Sequence, residues 1–475
     1  MSDTQITQAD YADIQGIVLN GYGQLKCTRF LFLQIGDPAG ARRWLHELCP
    51  QIMTAMRRAR GAAKPDIALN IAFTHAGMAQ LGLPDDALAQ MPRELQEGMG
   101  HGERSRVLGD TNDSAPERWD LGGPGTPEIH VLLMLYGQDD DVILARYPEL
   151  AAQFTAAGLH EVYKQDTGRI SDKEPFGYKD GVSQPFPAGA PGKPVPGEIP
   201  INVGEFLLGY RNGYDSLPPS PLVAASENGA DGLPPSGDDR QRDFGRNGSY
   251  LIFRKLAQDV HGFHHFLAEQ TRQADGGLDP AGAVRLGAKI VGRWPGGAPL
   301  VLSPDKDDPA LHTVEKSNDF QYIPTDPDGL ACPIGSHVRR CNPRDSLLPT
   351  PKRSLVIANR HRVIRRGRHY EDRGRADTWD PKGVEHGLCF VALNADIQRQ
   401  FEFIQQTWIN SPKFGGLYDN KDPLVGDNDG TGHMTIPGLP MRQRINGLPR
   451  FVRVRGGGYF FLPGLSALRF LAGQV

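Results

Sequence analysis

No stretch of about 18 apolar residues occurs anywhere in the 475-residue chain, so a membrane-spanning helix is not expected. The start, Met1-Ser-Asp-Thr-Gln, is polar. It has no basic segment leading into an apolar one, so no secretory leader is expected, and the initial Met argues against a trimmed twin-arginine precursor. Cysteine is scarce: Cys27, Cys49, Cys332, Cys341 and Cys389, an odd number with no CxxC pair. That excludes a disulfide framework or a zinc knuckle and suits a reducing cytoplasm. Charge of either sign is not in large excess. Lys and Arg number 52 against 56 Asp and Glu, a net −4, so nothing draws the chain toward nucleic acid or an anionic bilayer. There is no HExxH zinc motif. The acidic run Asp419 to Gly430 lacks EF-hand spacing, and Gly98 to Gly102 is not followed by the Lys-Ser/Thr of a phosphate loop.

Glycine (57) and proline (39) are plentiful and gather in long loops. So much irregular chain needs something to organise it, and a large buried cofactor would serve. Against that background one pattern recurs four times: an apolar run, an acidic residue, then helical periodicity. The copies begin at Phe30, Ile129, Tyr250 and Leu388, and their acidic residues are Asp37, Asp139 to Asp141, Asp259 and Asp396. An acidic side chain at the switch is suited to cap a helix N-terminus. Two such units per half predict an α+β fold of two ferredoxin-like domains with antiparallel sheets. The first spans 1–214 and the second 247–475. Residues 215–246, rich in Pro and Gly, form a linker or a surface excursion.

Three segments carry candidate chemistry. In Phe176-Gly-Tyr-Lys-Asp-Gly-Val-Ser-Gln-Pro185, Gly177 and Gly181 bracket Asp180 and can hold its carboxylate rigidly, although such a turn taken alone is usually an ordinary Asp turn. In Gly335-Ser-His-Val-Arg-Arg-Cys-Asn-Pro-Arg344, His337 has no second His four residues on. Most lone histidines are core or capping residues, yet one His suffices for haem, because the porphyrin supplies four ligands. The basic stretch Lys352 to Arg375 is either a solvated face or a seat for a buried anion such as a haem propionate. Leu355-Val-Ile and Val363-Ile within it read as strands.

Together these motifs resemble the dye-decolourising peroxidase family, and the match runs over most of the chain. Asp13-Ile-Gln-Gly-Ile-Val is similar to the family's opening, and Gly177 to Gly181 to its GxxDG signature. Gly335 to Arg344 resembles the proximal-histidine segment, and Arg362 to Gly367 the distal-arginine segment. Leu388-Cys-Phe390, Asp422-Pro-Leu-Val-Gly and Gly457-Gly-Tyr-Phe-Phe-Leu-Pro complete the series. Arg368-His-Tyr-Glu-Asp departs from the family's smaller, Gly-ending loop.

The resemblance implies a haem b in the second domain, with the Asp180 loop reaching across to it. His337 would hold the iron and Asp422 would accept its other ring N–H. Asp180 would move the peroxide proton, Arg365 would stabilise developing charge, and Leu388 and Phe390 would wall the pocket. An aspartate remains a base even in acid, which implies an acid-shifted working range. The partners implied are hydrogen peroxide and small organic reductants such as dyes and phenols, the larger ones oxidised at surface Tyr or Trp; oligomeric state stays open. Two other readings compete. A porphyrin-iron handling protein would use His337 without efficient peroxide turnover, and a non-haem hydrolase or binding module would give no Soret band. On the resemblance, His337→Ala abolishes haem binding, and Asp422→Asn leaves haem bound with a raised potential.

Overall fold

A computed structural model describes residues 4–57, 61, 63–168, 171–348 and 350–473, which leaves the first three residues of the polar start outside the described residues. The first half supplies β1 (Cys27–Ile35), β2 (Ile67–Phe73), β3 (Val131–Gly137) and β4 (Leu159–Thr167), hydrogen-bonded antiparallel in the order β4-β1-β3-β2. Strands β1 and β3 are continuous apolar runs, and their burial explains why. Phe30 and Phe32 enter one core while Leu31 and Leu33, on the opposite face, enter another.

Residues 215–246 are packed against the rest of the fold. They form a two-stranded ribbon, β5 (Leu222–Ala224) with β6 (Gln241–Asp243), and bury Val223, Ala230 and Phe244 completely. The second half repeats the plan of the first. Strands β7 (Ser249–Gln258), β8 (Ile364–Arg365), β9 (Arg368–Arg373) and β10 (Val384–Asn394) are followed by a hairpin, β11 (Gly432–Ile436) and β12 (Gln443–Leu448), and by β13 (Val452–Leu462). The order is β13-β7-β10, with β9 and β8 end to end along the outer edge of β10. In both halves the opening strand lies between the third and the last, the ferredoxin-like arrangement. The halves join where Phe73 pairs with Phe461. Their far edges also meet: Gly168 N–H donates to the His369 carbonyl at 3.0 Å and Gln165 to Asp372 at 3.0 Å. The combined sheet thus curls toward a barrel. Its interior is filled by Phe30, Phe32, Tyr136, Phe253 and Phe460, with Phe32 edge-on to Phe253 at 5.0 Å.

All four acidic caps form. Asp37, Asp139, Asp259 and Asp396 accept backbone N–H groups of Ala39, Val142, Gly262 and Arg399. The first three open the α-helices Pro38–Leu48, Asp140–Ala156 and Val260–Gln270. The fourth element differs from the expected α-helix through Trp408: it winds as wide π-type turns over Ile397–Glu402 and Ile404–Ile409. Leu355-Val-Ile is a second difference. It lies in an α-helix, Pro351–Arg360, whose N-cap Thr350 accepts from Arg353 N–H. Thr followed by Pro at the first helical position is a helix-start signal, and it outweighs two β-branched residues. The strand that follows is Ile364–Arg365.

Candidate active site

A cavity of about 330 Å³ opens between the Asp180 loop, the middle of β10 and the helix His337–Cys341. Asp180, Gly181, Arg365, Leu388, Phe390 and His337 all line it. Gly177 and Asp422 do not: Gly177 turns the loop, and Asp422 lies behind His337.

The His337 side is built from buried polar groups. Arg340, fully buried on the same short helix, donates to the carbonyls of Gly335, Trp408, Ser411 and Asn420, which ties the helix to the loop that carries Asp422. Burial pushes its guanidinium down to about 10, although Asp422 and Cys341 oppose that. The Asp422 carboxylate is inaccessible. Its Oδ1 accepts the N–H groups of Leu424 and Val425, each at 2.9 Å, and its Oδ2 accepts Nδ1–H of His337 at 3.0 Å. Since Asp422 is held below the ordinary carboxylate range by His337, Arg340 and backbone N–H against the effect of burial, it is an acceptor only. The network therefore assigns the neutral ring's proton to Nδ1 and leaves Nε2 with a lone pair. Burial acts to lower the affinity of His337 for a second proton, but Cys341 and Asp422 raise it well above the ordinary imidazole range.

Cys341 was not singled out from the sequence. It stands one helical turn beyond His337, with Sγ 3.7 Å from Nδ1 and 3.8 Å from Nε2, and it lines the same cavity. The signal was the i, i+4 spacing, which brings helical side chains together.

Opposite, the Asp180 loop needs its glycines: Gly177 has φ +96° and Gly181 φ +70°, left-handed conformations that penalise any other residue. Glu174, also not anticipated, organises the turn. Its carboxylate accepts N–H of Phe176 and of Tyr178, each at 2.9 Å, and the Gln258 amide at 2.8 Å. Burial raises its pKa, and those hydrogen bonds counter the rise. Lys179 fixes the far side through the Pro295 and His312 carbonyls. Asp180 itself is exposed, accepting the N–H of Gly181 at 2.6 Å. Beyond it, the Ser183 carbonyl accepts Nη2 of Arg365 at 2.8 Å and Gln184 accepts the Arg365 backbone N–H at 3.1 Å. Loop and β8 are thus fastened together.

The basic stretch separates into structural and unpaired arginines. Arg360, Arg366 and Arg368 spend their guanidinium groups on the carbonyls of Gly213, Ile17, Val18 and Gly21. Arg362 lines the cavity, and among the described residues its guanidinium meets no hydrogen-bond acceptor. Burial pushes it down to about 10, with Arg344 and Arg365 adding repulsion and only Glu198 opposing. A partly buried guanidinium on a cavity wall without a partner suits an anion.

A model of the DyP dimeric alpha+beta barrel domain matches residues 13–169. A dye-decolourising peroxidase of Mycena epipterygia is 30% identical, with 98% of this chain and 87% of the relative covered. The crystal structure of a fungal DyP-type peroxidase from Auricularia auricula-judae superposes with a TM-score of 0.78 at 26% identity, covering 98% of this chain and 99% of that one. A dye-decolourising peroxidase whose haem pocket was engineered for asymmetric sulfoxidation gives 0.78 at 28% identity, covering 98% and 100%.

Proposed function

The chain belongs to the dye-decolourising peroxidase family, and from that premise we propose that the cavity holds haem b on His337, with Asp180 and Arg365 acting on hydrogen peroxide. It is a peroxidase that oxidises dyes and other organic reductants with hydrogen peroxide. The haem reading rests above all on His337, whose Nδ1 is engaged by buried Asp422 while its ring lines the cavity. An imidazole so oriented is a metal ligand with its tautomer fixed. The unpaired Arg362 fits a propionate. A relative's engineered haem pocket adds support.

Haem, when bound, supplies a redox-active iron that takes up two oxidising equivalents from peroxide and passes them to reductants. The protein does the rest. Asp180 accepts the proton from one peroxide oxygen and returns it to the other as it leaves as water. Arg365, aimed by its bond to the Ser183 carbonyl, stabilises the negative charge that builds on the departing oxygen. Leu388 and Phe390 narrow the cavity and exclude bulk solvent. A cytoplasmic setting is part of the same proposal, supported by five free thiols. The test is the absorption spectrum and haemochrome of purified protein, then dye oxidation on adding peroxide. Protein without a Soret band after expression with ample haem would overturn the cofactor assignment.

A further inference from the structure

One row of residues crosses four strands of the sheet that floors the cavity. Val454 on β13 stands opposite Leu256 on β7, Leu256 opposite Leu388 on β10, and Leu388 opposite His369 on β9. Directly opposed residues of antiparallel strands project from the same face. Val454, Leu256 and Leu388 line the cavity, so His369 continues that face by one strand and stands at its rim. It belongs to Arg368-His-Tyr-Glu-Asp, the segment that departs from the family's smaller loop. Its backbone is fixed, the carbonyl accepting Gly168 N–H at 3.0 Å, while its partly exposed ring meets no hydrogen-bond partner among the described residues. Asp180 is near enough for its charge to act on both His369 and Arg368. Around the ring, the Asp180 loop thus contributes a carboxylate, β9 itself the Arg368 guanidinium, β10 the apolar Leu388, and the described end of β4 only Gly168. The next pair along the face, Glu371 and His386, meet each other at 3.7 Å.

We propose that His369 is the group through which Asp180 exchanges protons with solvent, a proton carrier at the rim that serves the half of the cycle in which reductants restore the enzyme. The inference rests on the role given to Asp180 above. Turning hydrogen peroxide into two waters consumes two electrons and two protons beyond those that peroxide brings. Peroxide's own two protons go into the first water, by the shuttle already assigned to Asp180. The second oxygen needs two more. A dye too large for the cavity gives up its electron outside and any proton to solvent, so protons must enter by a route of their own. An imidazole suits that route, since one ring nitrogen can accept from water while the other donates onward. Burial lowers the proton affinity of His369 and Arg368 adds to the fall, while Asp180 opposes it. The ring is therefore neutral at neutral pH and takes up its second proton in acid. His369 touches no substrate: it acts through Asp180, and only bonds to protons are made and broken.

The test is His369→Gln holoprotein, compared with the parent at equal haem content. Two rates are measured: the stopped-flow reaction with peroxide alone, and steady-state oxidation of a bulky sulfonated dye at saturating peroxide. The first should stay within about twofold of the parent, because peroxide brings the protons that step needs. The second should fall about tenfold, less than for a sole proton carrier because water takes part of the traffic. It should also lose the parent's rise as pH falls below the ordinary imidazole range. Added imidazole should restore the dye rate, which it would not do for a merely structural defect. Independently of turnover, the His369 ring resonance can be followed by NMR in isotope-labelled ferrous–carbonyl holoprotein, assigned by its absence from His369→Gln. It should titrate at lower pH in Asp180→Asn than in the parent, since a neighbouring negative charge is gone. A parent-like dye rate and pH profile in His369→Gln, an equal loss in both rates, or a ring titration indifferent to Asp180→Asn overturns the proposal. Parent-like peroxide rates in Asp180→Asn would instead defeat the role given to Asp180, so the two failures are distinguishable.

Discussion

His337 reaches the cavity from a helix tied down by buried Arg340 and backed by Asp422, whose two oxygens meet three N–H donors. Asp180 reaches it from a loop, is exposed, and accepts the N–H of the next residue. Rigidity comes by different routes. On the histidine side it lies in the side chains, so a substitution there changes where protons sit. On the aspartate side it lies in the backbone, through Glu174, Gly177, Gly181 and the Ser183–Arg365 bond. There the reacting side chain can be changed with the loop left standing. Substitutions on the aspartate side should therefore act on the rate of the peroxide reaction, and those on the histidine side on haem retention.

The largest effect is expected from Arg365→Leu. It removes a fixed charge and the Ser183 tether together. A preorganised donor of this kind contributes about 10²–10³ in rate, and loss of the tether places this variant at the upper end. Asp180→Asn should follow at about 10², near the low end for a positioned proton carrier, because water at an exposed site can carry part of the proton traffic. Stopped-flow rates with peroxide, at equal haem content, measure both. A greater loss in Asp180→Asn reverses the ranking, and substantial haem loss in either would erase the contrast between the two sides.

Arg362→Leu sharpens the contrast from the cavity wall. A charge-assisted hydrogen bond contributes about 1.5–3 kcal/mol, so haem affinity should fall roughly ten- to hundredfold while the peroxide rate per haem stays near the parent value. The measurement is haem transfer to an acceptor protein. Affinity equal to the parent's would mean that the propionates lie elsewhere and that Arg362 pairs with another anion.

The comparison also shows what was legible in the sequence. Strand–acid–helix units announce themselves locally, because a cap is a matter of neighbouring residues, and all four formed. The joining of two sheets through Phe73 and Phe461 is a pairing of residues nearly a whole chain apart, and no local pattern carries it. Among the arginines, composition gave a basic stretch without saying which member would be left unpaired. That depends on which carbonyls the fold brings near, and the Ile17, Val18, Gly21 and Gly213 carbonyls come from distant segments. Cys341 was readable at i+4, but its meaning required the cavity.

The smallest expected effect concerns the histidine side and revises the expectation that Asp422→Asn leaves haem bound with only a raised potential. Asp422 satisfies Leu424 and Val425 N–H through Oδ1 and His337 Nδ1–H through Oδ2. Asparagine has one oxygen for those two tasks. Turning its NH₂ toward the backbone sets donor against donor at two buried N–H groups, at about 1–3 kcal/mol each. Turning its NH₂ toward His337 needs only the other imidazole tautomer, in which Nδ1 accepts and the proton moves to Nε2. The second arrangement is therefore favoured, and it places a proton on the nitrogen that must bind iron. Asp422→Asn should bind haem about tenfold more weakly than the parent and more weakly than Asp422→Ala, which leaves Nδ1–H free to donate to water. Parent-like affinity with only a shifted potential would show that the amide oxygen faces His337 and that the Leu424 and Val425 N–H groups find another acceptor.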